Sequence, residues 1–501
     1  MRRFFTNLAA LTLFWLSIVA AQSTQPFTLN ASDGVPLDRF GTAVAIDGDF
    51  AIVGAPGHTD NGAESGAAYI FRNDVTTWTE IAKLTASDGT AGDEFGFSVA
   101  IQGDYAVVGA REKDDVGPHS GAVYVFQRTG NTWTQTTKLM GSLVTWDSHF
   151  GYDVAIDVDY VVASATSIDK QHPGLVFIFQ RSGNIWREVS NFFTPDIGEG
   201  DNFGSSLSIS GDYVVIGDEN YPAGGASGIA YIFKRAPAGA GWTNEAKLTA
   251  SDTAPGDQFG LSVSIDSEFA IVSAPSDDDA GESSGSAYIF QRQDTNWVEI
   301  AKLTAGDAFT GQLFGWSAAI RGDFAVVGAI GPDNDTPGAA YVFQKNNTTW
   351  SEIAKLISPD IGEGDLFASS VYISNKYLII GDKNFPAGLA TGSAYVYPLA
   401  VLPVGIFEDR NESPTTFALH QNYPNPFNPS TNIKYSVPNN GFVKLSVYNL
   451  IGEEVNVLVR GQVNAGFYEV TFNATNLPSG IYFYKLQADA IVETKKMVLM
   501  K

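Results

Sequence analysis

Short apolar runs, broken by Gly, Asp, Asn and Pro, recur along most of the chain. Runs of that length between turn residues predict strands rather than helices. Residues 93–110, DEFGFSVAIQGDYAVVGA, show the unit: FSVAI and YAVVGA are two strands joined at Gly103-Asp104. GAVYVFQ follows as a third strand and TWTQTTKL as a fourth. Apolar–polar alternation is partial in the first strand and weak in the second and third, which predicts strands covered on both faces. Gly109 reads as the residue that lets the chain leave the second strand.

The word repeats. Phe40, Phe95, Phe150, Phe203, Phe259, Phe314 and Phe367 are spaced 55, 55, 53, 56, 55 and 53 residues apart, each followed by Gly except the last, which precedes Ala368. Seven copies of about four strands predict an all-β fold, a seven-bladed β-propeller of four-stranded blades. Trp78, Trp133, Trp186, Trp242, Trp297 and Trp350 mark the fourth strand of six repeats, and the seventh stops at SAYVYPLAV without one. PFTLNASD near the N-terminus matches AKLTASD, with Leu29 in the place of Leu84. An N-terminal strand is therefore expected to complete the last blade and close the ring, which removes a free sheet edge. Above this period, SPDIGEGDLF (358–367) nearly repeats TPDIGEGDNF (194–203), as duplication of a block of blades would produce.

The rhythm stops after Pro398. Residues 401–416 read as a linker, and 417–501 as a small C-terminal β-sandwich domain built from NIKYSV, FVKLSVYNL, GFYEVTFNA and GIYFYKLQ. At the other end Arg2 and Arg3 precede an apolar run from Leu8 to Ala20, with Val19 and Ala21 before Gln22, so residues 1–21 are expected to be a signal peptide and 22–400 the propeller. No later run approaches membrane-spanning length, so no membrane span is expected after signal removal.

Composition narrows the partners. A formal charge of −25 argues against nucleic acid and anionic membrane surfaces. The absence of Cys removes thiol nucleophiles and thiolate metal sites, and leaves burial to stabilise the fold.

The pattern FGxSVAI…AVVGA…SGAVYVF resembles the FG-GAP repeat, the blade unit of the integrin α-chain head and of many bacterial surface proteins, over roughly residues 26–400. The resemblance implies a scaffold or binding surface. The last segment resembles the type A C-terminal sorting domain of the type IX secretion system. The matching residues are Asn422, Tyr423, Pro424, Asn425, Pro426 and Phe427 in NYPNPFNPST, Gly480 and Tyr482 in LPSGIYFYKL, and Lys495 and Lys496 in the terminal KKMVLMK. This implies Sec export, folding in the periplasm, and passage to the cell surface or medium of a Gram-negative bacterium, with the type IX machinery as partner.

Integrin-type repeats place Ca²⁺ in a DxDxDG-like loop between the first and second strands, where several oxygens surround one hard cation. Here that connection is a two-residue turn, as in IQGDY and IRGDF, so the loop is absent and no cofactor is assigned on the resemblance. Acids gather instead where the second-to-third and blade-to-blade connections share a face. Asp114, Asp115, Asp277, Asp278, Asp279, Asp333 and Asp335 are the candidate ligand-binding residues, and Asp277–Asp279 the candidate metal cluster. A D-x4-D-x-F pattern recurs at Asp33/Asp38, Asp88/Asp93, Asp196/Asp201, Asp252/Asp257 and Asp360/Asp365; it fits turns whose carboxylates accept backbone N–H groups, and also cation ligation. The opposite face carries Arg72, Arg128, Arg181, Arg235, Arg292 and Lys345.

Catalysis finds no motif. The five His residues form no pattern, and neither GxSxG nor a P-loop occurs. Arg321-Gly322-Asp323 is the shared Gly-Asp turn with Arg in front of it. The Trp row fits blade packing better than a sugar-stacking surface. The expected function is an exported, non-catalytic binding or adhesion-type propeller whose glycan or protein ligand is held by loops on the acidic face. The alternatives are a secreted hydrolase using those acids and a passive surface-layer spacer.

Overall fold

Seven four-stranded antiparallel sheets follow one another along the chain, and two further sheets form a C-terminal unit. The computed structural model describes residues 26–74, 76–166, 174–193, 201–220, 227–236, 241–331, 338–359, 366–383, 391–399, and 417–500 apart from 420–421, 423–424, 426, 439–440, 464–465, 475–476 and 489–490. The expected signal peptide and linker lie outside the described residues.

Blade 2 shows the plan. Phe95–Gln102, Tyr105–Ala110, Ala122–Thr129 and Thr132–Leu139 pair in sequence order. In blade 7 the strands Phe367–Ile373, Tyr377–Asp382 and Ser393–Pro398 are completed by Phe27–Leu29 from the N-terminus. Leu29 pairs with Ala394 as Leu84 pairs with Ala68, so the closing strand enters in the register of an ordinary fourth strand.

The repeated Phe-Gly word is a joint between blades. All seven Phe side chains are fully buried, and Phe95 meets Tyr124 and Phe126 edge-on at 5.4 and 6.0 Å. The following Gly adopts a left-handed φ, +94° at Gly96, and Ala368 takes φ 65° in its place. This turns the backbone toward the second strand of the preceding blade. There, a Cβ on Gly54 would clash with the carbonyl oxygen of Gly96, and a Cβ on Gly109 with that of Gly151. Gly109 is therefore not the exit from its strand; it is the seat for the neighbouring blade's backbone. Ser164 and Ser273 occupy the same position in blades 3 and 5, so the seam is set blade by blade.

The Trp row packs the outer seams. Trp133 stands edge-on to Phe50 of the preceding blade, as Trp186 does to Tyr105 and Trp350 to Phe269; Trp78 meets Tyr377 at 5.3 Å across the ring closure. The third-strand cations join these stacks. The Arg128 guanidinium lies 4.3 Å from the Phe50 ring and pairs with Asp104 of its own Gly-Asp turn. Those turns thus hold arginine.

In the C-terminal unit, one sheet contains Ala418–Leu419, Ser430–Val437 and Gly466–Asn473, and the other Glu454–Val463, Gly441–Tyr448, Gly480–Ala488 and Ile491–Leu499. Ile433 and Phe472 from the first sheet share a core with Leu445, Tyr484 and Met497 from the second. Phe427 is buried in it and bridges Leu499, its N–H donating to Val498 and its carbonyl accepting from Met500. Asn425 accepts from the Val498 N–H, and Asn422 donates its N–H to the Tyr484 hydroxyl. The motif thus covers the free edge of the last strand, an edge otherwise open to pairing. Gly480 opens the strand opposite Leu499, Tyr482 donates to the Pro478 carbonyl, and Lys495 and Lys496 lie opposite Tyr484 and Phe483. Tyr423, Pro424 and Pro426 lie outside the described residues. Phe427→Ala is expected to lower the stability of this unit by about 3 kcal/mol, measured as an earlier unfolding transition of the sandwich in urea.

Candidate functional site

Several acids singled out in the sequence, Asp115, Asp252, Asp277 and Asp279 among them, belong to a repeated internal network. In blade 5, Asp252 precedes the first strand, Tyr288 lies on the third and Lys302 on the fourth. The Tyr288 hydroxyl lies 2.8 Å from both Asp252 and Asp277, and the Lys302 ammonium reaches Asp252 at 2.6 Å, Asp277 at 3.1 Å, and Asp279. Blade 2 repeats this with Asp88, Tyr124, Lys138 and Asp115; blade 1 with Asp33, Tyr69, Lys83 and Asp60; blade 6 with Asp307, Tyr341 and Lys355. Burial raises the Asp252 pKa, but hydrogen bonds from Lys302 and Tyr288 outweigh it and hold the group below the usual carboxylate range.

Blade 3 shows that these residues act as a unit. Leu143, Phe177 and Asn191 stand where blade 2 has Asp88, Tyr124 and Lys138, so all three partners change together. A buried tyrosine hydroxyl needs an acceptor, and clustered carboxylates need a counter-charge; without one partner the others lose their purpose.

Asp277, Asp279 and Asp252 form one of two groups whose ligand atoms lie within 4.8 Å of one another; Asp33, His58 and Asp60 form the other. In both a lysine ammonium already sits among the oxygens, Lys302 in the first and Lys83 in the second. Asp114 accepts from the His119 N–H at 2.8 Å and Asp278 from the Ser283 N–H at 2.7 Å; both are exposed. Asp333 and Asp335 lie outside the described residues, as do Asp196, Asp360 and Asp365. The second Asp of the pattern closes a tight turn, Asp93 accepting from the Thr90 N–H and Asp257 from the Ala254 N–H.

The first strands of all seven blades line a central cavity of about 370 Å³. Its mouth opens on the face that carries the acidic loops, since each first strand starts there. The position after the Phe-Gly pair lines this cavity in every blade, and at it and at two neighbouring columns the repeats disagree. Before the buried Phe stand Arg39, Glu94, His149, Asn202, Gln258, Leu313 and Leu366. After the Phe-Gly pair stand Thr42, Phe97, Tyr152, Ser205, Leu261, Trp316 and Ser369. After the second strand stand Pro56, Arg111, Thr166, Glu219, Pro275, Ile330 and Lys383. Arg39, Glu94, His149, Gln258 and Leu313 hold left-handed φ values between 50° and 58°, a strain glycine would relieve, yet each carries a side chain.

Charge is unevenly spread around this mouth. Glu94 joins Arg39 at 2.9 Å and Arg111 at 2.7 Å, and the Arg111 guanidinium lies 3.6 Å from the Phe97 ring centre. Opposite, Asn202 donates to Glu219 at 2.7 Å, and Asp153 accepts N–H bonds from Val154 and from Leu207 of the next blade. Burial pushes both Asp153 and Asp218 up to about 7, against backbone hydrogen bonds that pull the other way. Between pH 4 and 7 the folded chain therefore holds protons that the unfolded chain releases. This stabilising contribution is full below the unfolded value of 3.8 and is lost as pH rises through 7. The Asp153→Asn variant is expected to lose its share of the fall in urea midpoint between pH 5 and 8, a share of about 1 kcal/mol per pH unit.

These mouth residues form no motif, and a search for acids or nucleophiles passes over them. The signal that finds them is disagreement between repeats at columns flanked by agreement. Blades 4 and 7 share a nearly repeated word, IGDENYPAG against IGDKNFPAG, and the one charge reversal within it is Glu219 against Lys383.

Comparison with known proteins follows the same divisions. The FG-GAP repeat family model matches residues 24–71, 78–126, 133–179, 186–233, 242–290, 297–343 and 350–397, each match starting one strand before its blade. The secretion system C-terminal sorting domain matches residues 421–500. A search of curated proteins finds no match. Solved structures similar to the chain include PorZ, a bacterial surface component of the type IX secretion system of Porphyromonas gingivalis, at 12% identity and TM-score 0.44, covering 94% of this chain and 61% of that one. They also include a 6-phosphogluconolactonase-like protein of Bacteroides fragilis, at 12% identity and TM-score 0.44, covering 69% and 94%. The propeller domain of a Pyrococcus furiosus protease matches at 10% identity and TM-score 0.40, covering 75% and 99%. The chain thus spans about three fifths of the PorZ chain.

Proposed function

Because the chain belongs to the FG-GAP repeat family and ends in a type IX secretion sorting domain, we propose that it is an exported, non-catalytic binding propeller acting at the cell surface or in the medium. It binds its glycan or protein ligand on the face where the blade connections meet. The observation that carries this reading is the contrast between a uniform frame and a varied mouth: seven nearly identical joints present twenty-one positions that differ in size, polarity and charge. Asp114 and Asp278, exposed on the loops of that face, form its outer rim.

The hydrolase alternative draws on the acidic loops, where Asp252, Asp277 and Asp279 are already bonded to Lys302. The test is a glycan and protein array probed with the exported full chain. Selective capture that is lost in Tyr152→Ala supports the reading. Silence across the array points to the spacer, and turnover of a captured polysaccharide that disappears in Asp114→Asn or Asp278→Asn points to the hydrolase.

A further inference from the structure

The mouth of the central cavity holds one cation with no counterpart. Lys383 lines the cavity, and among the described residues no hydrogen bond or ion pair reaches its ammonium. Burial and the neighbouring positive charges of Arg39 and Arg111 push it below the ordinary lysine range. Those two arginines are already tied together by Glu94, and Arg111 also touches Glu112 at 3.2 Å, so no carboxylate of that group is left over for the lysine. Two hydroxyl oxygens share the condition. Ser205 and Ser369 line the same cavity, and their Oγ atoms are buried without a hydrogen-bond partner; Glu219 in the same lining keeps its Oε2 buried and unbonded, an acceptor for a ligand hydroxyl. A desolvated charge and buried unpaired hydroxyls each destabilise the fold unless a ligand completes them.

We infer that the cavity mouth is a binding site for an acidic sugar residue, its carboxylate paired with Lys383 and its hydroxyls bonded to Ser205 and Ser369. The inference rests on the binding reading above and names the ligand class for it. One uncompensated ammonium matches one carboxylate, whereas a dianionic phosphate would leave a second charge unpaired. The cavity volume suits one or two sugar rings, and Trp316 in its wall offers an apolar face for a ring to stack on. A hydroxyl-rich wall is a poor match for an acidic peptide, whose carboxylates come without neighbouring hydroxyl groups.

Calorimetry on the full chain tests this with a trigalacturonate and the neutral trigalactose of the same length. The expected result is saturable binding of the acidic trisaccharide, at least tenfold weaker binding of the neutral one, and at least a tenfold loss in Lys383→Met. The same variant is expected to raise the Tm by a few degrees, because it removes a desolvated charge, and this shows that it folds. Ser205→Ala and Ser369→Ala should each weaken binding several-fold. Equal affinity for the two sugars, unchanged affinity in Lys383→Met, or tighter binding of a glutamate-rich peptide or a sulfated trisaccharide would overturn the assignment. If the array captures neutral glycans or proteins while trigalacturonate gives no heat, this site falls and the binding reading stands; if nothing is captured, both fall.

Discussion

Gly109→Val is expected to abolish folding of the propeller. The clash is with main chain, since a Cβ at this position meets the Gly151 carbonyl of blade 3 and the Ser98 hydroxyl of its own blade. Neither can withdraw cheaply: Ser98 donates to that carbonyl at 2.8 Å, and Gly151 donates its N–H to Ser164. Relief requires blades 2 and 3 to move apart, which opens the seam that buries Phe150 and Val154. Such overpacking against backbone is expected to cost more than about 4 kcal/mol, at the far end of single-residue effects. Gly103→Ala is the matched control. Gly103 also has a left-handed φ, +57°, but nothing lies within 4 Å of its added Cβ, so only about 1 kcal/mol of backbone strain is expected. Circular dichroism and urea unfolding of the two variants separate the joint from the turn: a folded Gly109→Val with a near-normal midpoint would contradict the joint.

Lys302→Met is the second large effect. It leaves Asp252, Asp277 and Asp279 close together without the one cation that bonds them among the described residues. Asp277 is buried, so its charge must be neutralised by a proton or another cation; Asp252 and Asp279 are partly solvated, which tempers the cost. A loss of about 2–3 kcal/mol at neutral pH is expected, recovered in part on acidification. Millimolar Ca²⁺ should raise the Tm of the variant more than that of the parent, because methionine removes the ammonium that offsets part of the charge of three clustered carboxylates. Thermal shift with and without Ca²⁺ decides it. A calcium response larger in the parent than in Lys302→Met would mean that a metal, and not lysine, is the natural partner of these acids.

The frame was open to sequence reasoning because its causes are local and repeated. Buried Phe, left-handed Gly and a Gly-Asp hairpin recur at a fixed period, and the absent fourth strand of blade 7 is explained by Leu29. Two other matters were hidden for distinct physical reasons. The purpose of Gly109 depends on a backbone 42 positions away, on another blade, which no local rule reports. The acids of the D-x4-D words look like ligands because their partners, Tyr288 and Lys302, lie 36 and 50 residues further on. Lysine and tyrosine in strands look like ordinary β-residues until the fold brings them over the carboxylates. The mouth residues were hidden for a third reason. Arg39, Tyr152 and Glu219 share no chemistry; they share only a place around an axis, and the axis exists only once seven blades close.

The central claim is that repeated residues make the frame and that binding belongs to the positions where the repeats differ. Hydrogen–deuterium exchange of the full chain, with and without a ligand captured on the array, tests it most directly. The account predicts ligand-dependent protection in peptides spanning 39–44, 94–99, 149–154, 202–207, 366–372 and 381–383, with no change in the outer Trp strands. Protection confined to the Trp strands, or to the 277–279 loop with the mouth unaffected, would contradict it.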